Sequence, residues 1–197
     1  MVAYPAAMPR PPLLVFIACS LDGFIARPDG GLDWLSAADS SGEDFGYDAF
    51  MERVDHLLMG RGTFEKVAAF PEWPYRIPVT VLSRTLRDAD LPAHLRGRVS
   101  LYAGELDDLW PRLSESKGVY VDGGQVIQSC LRAGWIDELT ITRLPVLLGQ
   151  GLPLFGPLAK DVRLRHLHTR SFGKSGAVQS VYGCGPAVPR PDGLSLQ

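Results

Sequence analysis

The sequence predicts an αβ protein with a largely parallel central sheet and an antiparallel C-terminal edge. Apolar segments of strand length alternate with segments of helical periodicity over most of the chain, which is the pattern of strand–helix–strand units. The last two strand-like segments are separated only by a Gly-rich turn, so they should form a hairpin and make the sheet mixed. With 197 residues, the chain is large enough for one domain with a full core.

Four strands and two helices are predicted in the first half of the chain. Leu-Leu-Val-Phe-Ile-Ala-Cys is a continuous apolar run, and the Asp22-Gly23 pair after it predicts a turn or bulge within the first strand. Tyr47, Phe50 and Val54 share one face of the first helix. The predicted strands are 13–26, 56–60, 78–83 and 99–102, and the predicted helices are 42–54 and 63–70.

The second half continues the alternation and then closes with two adjacent strands. Pro111 complicates the first of its helices, and Gly134 is well suited to end the second. The turn between the last two strands is Gly-Lys-Ser-Gly. The predicted helices are 106–114 and 125–132, and the predicted strands are 119–121, 137–147, 163–169 and 177–182.

The two ends of the chain are rich in proline and read as extended or disordered tails. Residues 1–12 contain four prolines, and residues 185–197 combine proline with glycine and serine. The sequence therefore predicts a single folded domain over residues 13–184 with a flexible tail on each side.

Composition excludes several classes of function. Apolar residues make up 46% of the chain and charged residues 21%, as in soluble globular proteins, and no apolar run approaches the roughly 18 residues of a membrane span. The net charge of −2 argues against nucleic-acid binding. Cys19, Cys130 and Cys184 are odd in number and form no CxxC pair, which argues against disulfides and a metal site. Because the N-terminus also lacks the order of a signal peptide, we expect a cytoplasmic protein.

The most informative local feature is a glycine pair between an apolar strand and a helix. In Val-Tyr-Val-Asp-Gly-Gly, Gly123 and Gly124 lack a Cβ, so another group can approach the backbone closely. The amide groups from Gln125 onward open a helix and favour negative charge. The turn is thus a candidate phosphate site, although tight packing alone would also require such a pair.

A second strand-to-helix turn is Gly60-Arg61-Gly62-Thr63. Thr63 is a suitable N-cap whose hydroxyl can also meet a phosphate, and Arg61 offers a charged fork suited to phosphate oxygens. The alternative is a capped helix with a solvated arginine.

A third turn, Ser83-Arg84-Thr85, follows another apolar strand. Ligands of open αβ sheets lie beyond the carboxyl ends of parallel strands, and an arginine flanked by hydroxyls there suits a phosphomonoester. The alternative is a solvated strand end.

Standard nucleotide and hydrolase motifs are not found. The segment from Gly60 to Glu65 departs from GxGxxG at its last position, and Gly173-Lys174-Ser175 lacks the first glycine and the helix of a P-loop. There is no GxSxG or HExxH motif, so nothing supports a hydrolytic or acyl-transfer enzyme.

Several segments, in this order, resemble the dihydrofolate reductase superfamily, and most closely its bacterial branch with the reductase domain of riboflavin biosynthesis (the RibD C-terminal domain). The resemblance covers roughly residues 13–183. It is carried by Phe-Ile-Ala-Cys-Ser-Leu-Asp-Gly-Phe-Ile-Ala (16–26), Leu-Met-Gly-Arg-Gly-Thr-Phe (58–64), Val-Leu-Ser-Arg (81–84), Val-Asp-Gly-Gly (121–124), Asp-Glu-Leu-Thr-Ile-Thr (137–142) and Pro-Val-Leu-Leu-Gly-Gln-Gly-Leu-Pro-Leu-Phe (145–155).

The resemblance implies a mixed sheet of about eight strands and NADPH as the hydride donor. It implies that phosphates lie at the second turn, that the 2′-phosphate lies at the third, and that the pyrophosphate lies against the glycine pair, where the family often has a cis bond. It also implies a nicotinamide site under a mobile loop at residues 29–32. The implied cofactor residues are Ala18, Ile25, Gly60, Arg61, Gly62, Thr63, Ser83, Arg84, Gly123, Gly124, Gln125 and Val126.

Two departures from the family pattern concern acidic residues. Asp122 precedes the glycine pair where dihydrofolate reductases usually have glycine and the riboflavin branch often has glutamate, which favours the second branch. Dihydrofolate reductases also place an acid on the first helix to hold and protonate the substrate. Asp44 and Asp48 are the catalytic candidates here, Asp44 as a buried carboxylate, although acids at a helix start also complement its dipole. Trp34 and Tyr47 are candidate substrate contacts, and a core role for Trp34 is equally open.

We therefore expect an NADPH-dependent reductase that transfers hydride to a small, flat, pteridine- or aminopyrimidine-like heterocycle. True dihydrofolate reductase activity and a non-catalytic nucleotide-binding protein are the alternatives. A homodimer is also predicted, in which the apolar strand 139–148 and the arm 149–155 pair across a two-fold axis.

Overall fold

The computed structural model describes residues 10–36 and 41–185. Most of both predicted tails therefore lies outside the described residues. The described residues form ten strands: β1 (Leu13–Ser20), β2 (Phe24–Ala26), β3 (His56–Gly60), β4 (Val79–Leu82), β5 (Val99–Tyr102), β6 (Val119–Asp122), β7 (Ile136–Leu144), β8 (Leu152–Pro153), β9 (Leu164–Ser171) and β10 (Val178–Cys184).

Eight of these strands form one mixed sheet in the order β5-β4-β3-β6-β1-β7-β10-β9. The strands from β5 to β7 are parallel to their neighbours, whereas β10 is antiparallel to both β7 and β9. The predicted mixed sheet with an antiparallel C-terminal edge is confirmed. β7 is paired on both sides, so the part of the dimer prediction in which this strand pairs with a second copy is wrong.

Two of the four helices are shorter than predicted, and the other two lie within two residues of their predicted bounds. The helices are α1 (Tyr47–Met51), α2 (Arg61–Ala68), α3 (Trp110–Leu113) and α4 (Gly124–Ala133). α1 was predicted to begin at residue 42, but Phe45 and Gly46 have φ angles of 50° and 79°, which a right-handed helix does not allow. The predicted helix 106–114 is a 3-10 turn (Leu106–Leu109) followed by α3.

The predicted strands are also divided differently. A turn at residues 21–23 splits the first into β1 and β2, because Asp22 accepts hydrogen bonds from the Ser20 hydroxyl at 2.6 Å and from the Gly149 N–H at 2.8 Å. β7 ends at Leu144, since Pro145 has no N–H to continue the ladder. The two-residue strand β8, paired with β2, was not predicted.

Two apolar cores lie on opposite faces of the sheet. Along β6, Val119 and Val121 belong to the core under α4, whereas Tyr120 belongs to the core under α1 and α2. Cys19 and Cys130 are buried, as expected for cysteines that pack as small apolar residues. No helix in the described ranges is long and apolar enough to cross a membrane.

Candidate functional site

The three turns begin at the same edge of the sheet. Gly60 is in register with Leu82, and Met59 with Asp122, so β3, β4 and β6 end side by side. Each of these carboxyl ends runs directly into one predicted turn. The sheet topology therefore brings together three segments that lie far apart in the sequence.

A side-chain hydrogen bond joins the second and third turns. Arg61 at the start of α2 donates from Nη1 to Thr85 Oγ1 at 2.8 Å and is held from its other side by an ion pair with Glu65 at 2.6 Å. Ser83 Oγ accepts the N–H of Leu86 at 3.0 Å, which fixes the turn and leaves its own O–H to donate. The Arg84 side chain is exposed and contacts no described partner. Two guanidinium groups and two hydroxyls thus border one surface.

The glycine pair packs tightly against its neighbours. Gly123 has a φ of 88°, and a Cβ built there would collide with Thr63 Oγ1. A Cβ on Gly124 would lie 2.8 Å from Ile25 Cδ1. Its peptide bonds are trans, as are all those of the described residues. Internal packing therefore already requires both glycines, and the contact of Gly123 with Thr63 brings the glycine pair against the second turn.

Gly62 differs from the glycine pair. It is exposed in the first turn of α2, and a Cβ there would meet no atom within 4 Å. No packing among the described residues requires this glycine, so the open space over the helix start is available to a ligand. Gln125 and Val126 lie in the first turn of α4, where amide groups have no partner within the helix.

Ile25 lies beside the glycine pair, and Ala18 lies on β1, the strand next to β6 in the sheet. Ala18 is half-buried on β1, and Ile25 is half-buried on β2 against Gly124. The loop predicted to cover a nicotinamide is closed at its base by a bidentate Arg27–Asp33 ion pair at 2.7 and 2.8 Å. Its tip contacts α2, because Lys66 Nζ donates to the Asp29 carbonyl at 3.4 Å. Its mobility stays a prediction.

The candidate acids on the first helix are not buried. Asp44 and Asp48 are both exposed, so the expectation of a buried carboxylate at Asp44 is wrong, because the left-handed backbone at Phe45 starts the helix only at Tyr47. Their catalytic role stays a prediction.

The two candidate substrate contacts differ in burial. Trp34 is 7% exposed and packs with Leu144 and Ala177, which favours the core role. Tyr47 is half-buried beside Phe16, with ring centroids 5.6 Å apart, and remains accessible.

The carboxyl of this region with a raised pKa belongs to the half-buried Asp122, at the end of β6. Loss of hydration raises its pKa from 3.8 to about 6, against a smaller opposing effect of the Gly123 N–H, which donates to Oδ1 at 2.7 Å. Burial also raises the pKa of Tyr47 to about 12, and Asp122 adds to that shift. In the sequence, the only sign of this environment is that Asp122 directly follows three apolar strand residues.

Comparisons with known proteins agree with this geometry. The family model of the RibD C-terminal domain matches residues 11–178. YwjB of Bacillus subtilis (strain 168), an uncharacterized protein, is 34% identical over 173 residues, covering 86% of this chain and 95% of YwjB.

Two solved structures have a similar fold, one at higher and one at lower sequence identity. The putative riboflavin biosynthesis protein from Shewanella sp. PV-4 is 40% identical with a TM-score of 0.79, covering 89% of this chain and 99% of that one. Dihydrofolate reductase from Enterococcus faecalis, complexed with NADP(H), shares only the fold, at 19% identity and a TM-score of 0.61 over 89% of this chain and 97% of that one. The chain therefore belongs to the RibD C-terminal domain family and has the dihydrofolate reductase-like fold.

Proposed function

We propose that this protein is an NADPH-dependent reductase that transfers hydride to a small, flat heterocycle of the pteridine or aminopyrimidine kind. Membership of the RibD C-terminal domain family supports a reductase. The related fold of a dihydrofolate reductase complexed with NADP(H) supports the cofactor. The protein binds and orients both reactants, and the bound cofactor supplies the hydride.

The observation that carries the proposal is the convergence of the three turns. Arg61 bonds to Thr85, and Thr63 packs on Gly123, so one continuous surface connects the starts of α2 and α4 with the end of β4. This surface offers arginine side chains, hydroxyls and helix-start amides, the groups that bind phosphates. A dinucleotide with a pyrophosphate and a 2′-phosphate needs such sites at several separate points.

The residues fit NADPH in position and chemistry. Ser83 and Arg84 are suited to the 2′-phosphate, and the open space over Gly62 is suited to the pyrophosphate side of the cofactor. Ala18 and Ile25 are apolar and border the same edge, as a nicotinamide ring requires.

The substrate side of the site is aromatic. On the α1 face of the sheet, Phe16 contacts both Tyr47 and Phe50, and Phe50 contacts Tyr120, with ring centroids 5.0 to 5.6 Å apart. The half-buried rings of Phe16 and Tyr47 suit a planar ring, with the buried Phe50 and Tyr120 packed behind them. The Asp122 carboxyl and the Tyr47 hydroxyl suit the polar edge of such a ring.

The proposal is tested by titrating the purified protein with NADPH and with NADH while nicotinamide fluorescence is recorded. We expect micromolar binding of NADPH and weaker binding of NADH. NADPH oxidation is then measured with 7,8-dihydrofolate and with a panel of amino-substituted pyrimidines. Binding of NADPH without oxidation in any mixture would favour the non-catalytic alternative, and a preference for dihydrofolate would favour true dihydrofolate reductase activity. Binding of neither dinucleotide would remove the reductase proposal.

The homodimer is retained as part of the proposal, with the arm 149–155 as its contact. Leu152 and Phe155 are 46% and 44% exposed there, and Leu147 beside them is 68% exposed. Light scattering of the purified protein distinguishes a dimer from the 21.5 kDa monomer.

A further inference from the structure

Tyr75 reaches the substrate side of the site from the segment between α2 and β4. It belongs to the same apolar core as Phe50, and Tyr47 of α1 packs against that core. Its carbonyl accepts a hydrogen bond from Arg98 Nη2 at 2.9 Å, at the amino-terminal side of β5. The charge of Asp122, at the carboxyl end of β6, influences the pKa of its hydroxyl. The Tyr75 ring therefore extends from the amino-terminal side of the sheet toward the proposed substrate site.

The position of this ring is fixed by neighbouring aromatic side chains. Trp73 lies between Phe64 of α2 and Tyr75, with ring centroids 6.1 and 5.4 Å apart. Both contacts are edge-to-face, a geometry that aromatic pairs prefer. Pro71 and Pro74 further restrict the backbone of the segment. Tyr75 is therefore oriented by the protein itself and needs no ligand to order it.

The hydroxyl group of Tyr75 is available to a ligand. No described residue forms a hydrogen bond with it. The protein does not enclose it either, because the fully buried side-chain polar atoms without a partner among the described residues are the indole nitrogens of Trp34 and Trp73. Tyr120 in the same core differs, since its hydroxyl donates to the Phe16 carbonyl at 2.9 Å.

This hydroxyl acts as a hydrogen-bond donor throughout the working pH range. Burial raises the pKa of Tyr75 well above its ordinary value, and the charges of Asp122 and Tyr47 add to that shift. No Lys, Arg or His among the described residues opposes it. A ring that displaces water from this O–H must therefore supply an acceptor, because an unpaired buried donor weakens binding. A carbonyl oxygen on the ring is such an acceptor.

We propose that Tyr75 determines the substrate specificity of this reductase by donating a hydrogen bond to a carbonyl oxygen of the substrate ring. The inference rests on the proposed function and narrows the substrate class to oxo-substituted aminopyrimidines and pteridines. The ring packs on Phe16 and Tyr47, and its oxo group faces the segment between α2 and β4. A ring with hydrogen in place of that oxygen fits the same space but leaves the Tyr75 hydroxyl unpaired, so it binds more weakly.

The test measures equilibrium binding of two rings that differ by this oxygen, by calorimetric titration in the presence of saturating NADP⁺. 2,5,6-Triaminopyrimidin-4-one carries the oxygen, and 2,4,5-triaminopyrimidine lacks it. We expect the wild type to bind the oxo compound about tenfold more tightly or better. Tyr75→Phe keeps the aromatic ring and removes only the hydroxyl, so the two affinities should then agree within about threefold and the Kd for NADPH should change less than about twofold.

Two further tyrosines provide matched controls. Tyr120→Phe removes a hydroxyl that the protein already uses, and Tyr182→Phe alters the opposite face of the sheet, so both should retain the wild-type preference for the oxo compound. Urea unfolding separates Tyr75 from Tyr120. Tyr75→Phe should unfold at the wild-type urea concentration because its hydroxyl has no partner among the described residues, whereas Tyr120→Phe should unfold at a lower one.

Several outcomes would overturn the role of Tyr75 and leave the proposed function standing, provided that the wild type binds NADPH. They are equal binding of both rings by the wild type, binding of neither ring, an unchanged preference in Tyr75→Phe, and loss of the preference in Tyr47→Phe alone. A purely structural role of Tyr75 would give the third of these, since a distorted site weakens both rings and keeps their ratio. A wild type that binds no NADPH refutes the proposed function and the role of Tyr75 with it.

Discussion

Asp122 makes the stability of the fold depend on pH. Its pKa rises from 3.8 to about 6 on folding, so the folded protein binds this proton more tightly than the unfolded chain. The resulting stabilisation is complete below about pH 4 and is lost as the pH rises through about 6. We expect Asp122→Asn, which has no such loss, to gain stability relative to the wild type by about 1–3 kcal/mol between pH 4 and pH 8, since a partly exposed carboxyl retains some hydration.

Urea unfolding at pH 4, 6 and 8 measures this difference. Comparison of the two proteins at each pH cancels the carboxylates that they share, and Asp161→Asn serves as a matched variant at an exposed position. A constant difference between Asp122→Asn and the wild type across the series would show that Asp122 titrates normally.

Arg84 is the residue that should set the preference for NADPH over NADH. Its side chain is exposed beside Ser83 and has no described partner, so it is available for the 2′-phosphate. We expect Arg84→Ala to reduce the ratio of the two affinities by about tenfold or more, because a charged hydrogen bond contributes roughly 1.5–3 kcal/mol. Fluorescence titration with both dinucleotides measures the ratio, with Arg87→Ala as a nearby control. An unchanged ratio would assign the 2′-phosphate elsewhere.

The positions of the three turns could be predicted from local sequence, but the environment of Asp122 could not. Each turn is a strand end followed by Gly, Ser, Thr or Arg, and its position follows from a few consecutive residues. The environment of Asp122 depends on Tyr47 and Tyr75, which are distant in sequence. A carboxylate whose burial comes from such contacts cannot be distinguished from an exposed one before the fold is known.

At the scale of the elements, α2 and the β6–α4 turn contain glycines with opposite roles. Gly62→Ala places a methyl group in open space and improves helix propensity, so we expect unfolding free energy to rise by up to about 1 kcal/mol and NADPH affinity to fall at least tenfold. Gly123→Ala meets Thr63 and a φ of 88°, so we expect a loss of about 2–4 kcal/mol in stability.

Denaturant unfolding and NADPH titration of both variants separate these roles. A Gly62→Ala protein that binds NADPH as tightly as the wild type would show that no phosphate approaches the start of α2. The comparison is informative because the two glycines lie in adjacent turns and differ mainly in what occupies the space beside them.

The periodicity of apolar residues predicted which helices and long strands exist, whereas several of the residues at which they begin or end depend on contacts within the fold. α4 was predicted within a residue or two because Gly134, with a φ of 71°, ends it locally. α1 was overextended because nothing in its sequence reveals the left-handed backbone of Phe45. β8 was missed because a two-residue strand carries no period and exists only through its pairing with β2.

At the scale of the whole molecule, the C-terminal hairpin is fastened to the segment before α1. The Phe45 carbonyl accepts hydrogen bonds from Arg170 and from Gln179 Nε2, the latter at 3.0 Å. The Phe45 ring lies 4.5 Å from that of Phe172, and Glu43 accepts the Ser175 N–H at 3.0 Å. The antiparallel edge of the sheet thereby fixes where α1 begins and how Tyr47 faces the site.

Gln179 makes three of the hydrogen bonds in this connection. We expect its replacement to weaken substrate binding but not NADPH binding. Gln179 is 2% exposed, donates to Thr142 Oγ1 at 2.8 Å and to Phe45, and accepts from Arg170 Nε at 2.9 Å. Gln179→Ala leaves a cavity and removes three hydrogen bonds, so we expect a loss of about 2–4 kcal/mol in unfolding free energy.

Functional measurements on Gln179→Ala test whether the connection positions Tyr47. None of its contacts reaches the three turns, so the Kd for NADPH should stay within about twofold of wild type while KM for the heterocycle rises several-fold. Gln150→Ala, at an exposed position, should change stability by less than about 0.5 kcal/mol and neither constant. If Gln179→Ala weakened NADPH and substrate binding equally, the hairpin would stabilise the fold as a whole and would not specifically orient α1.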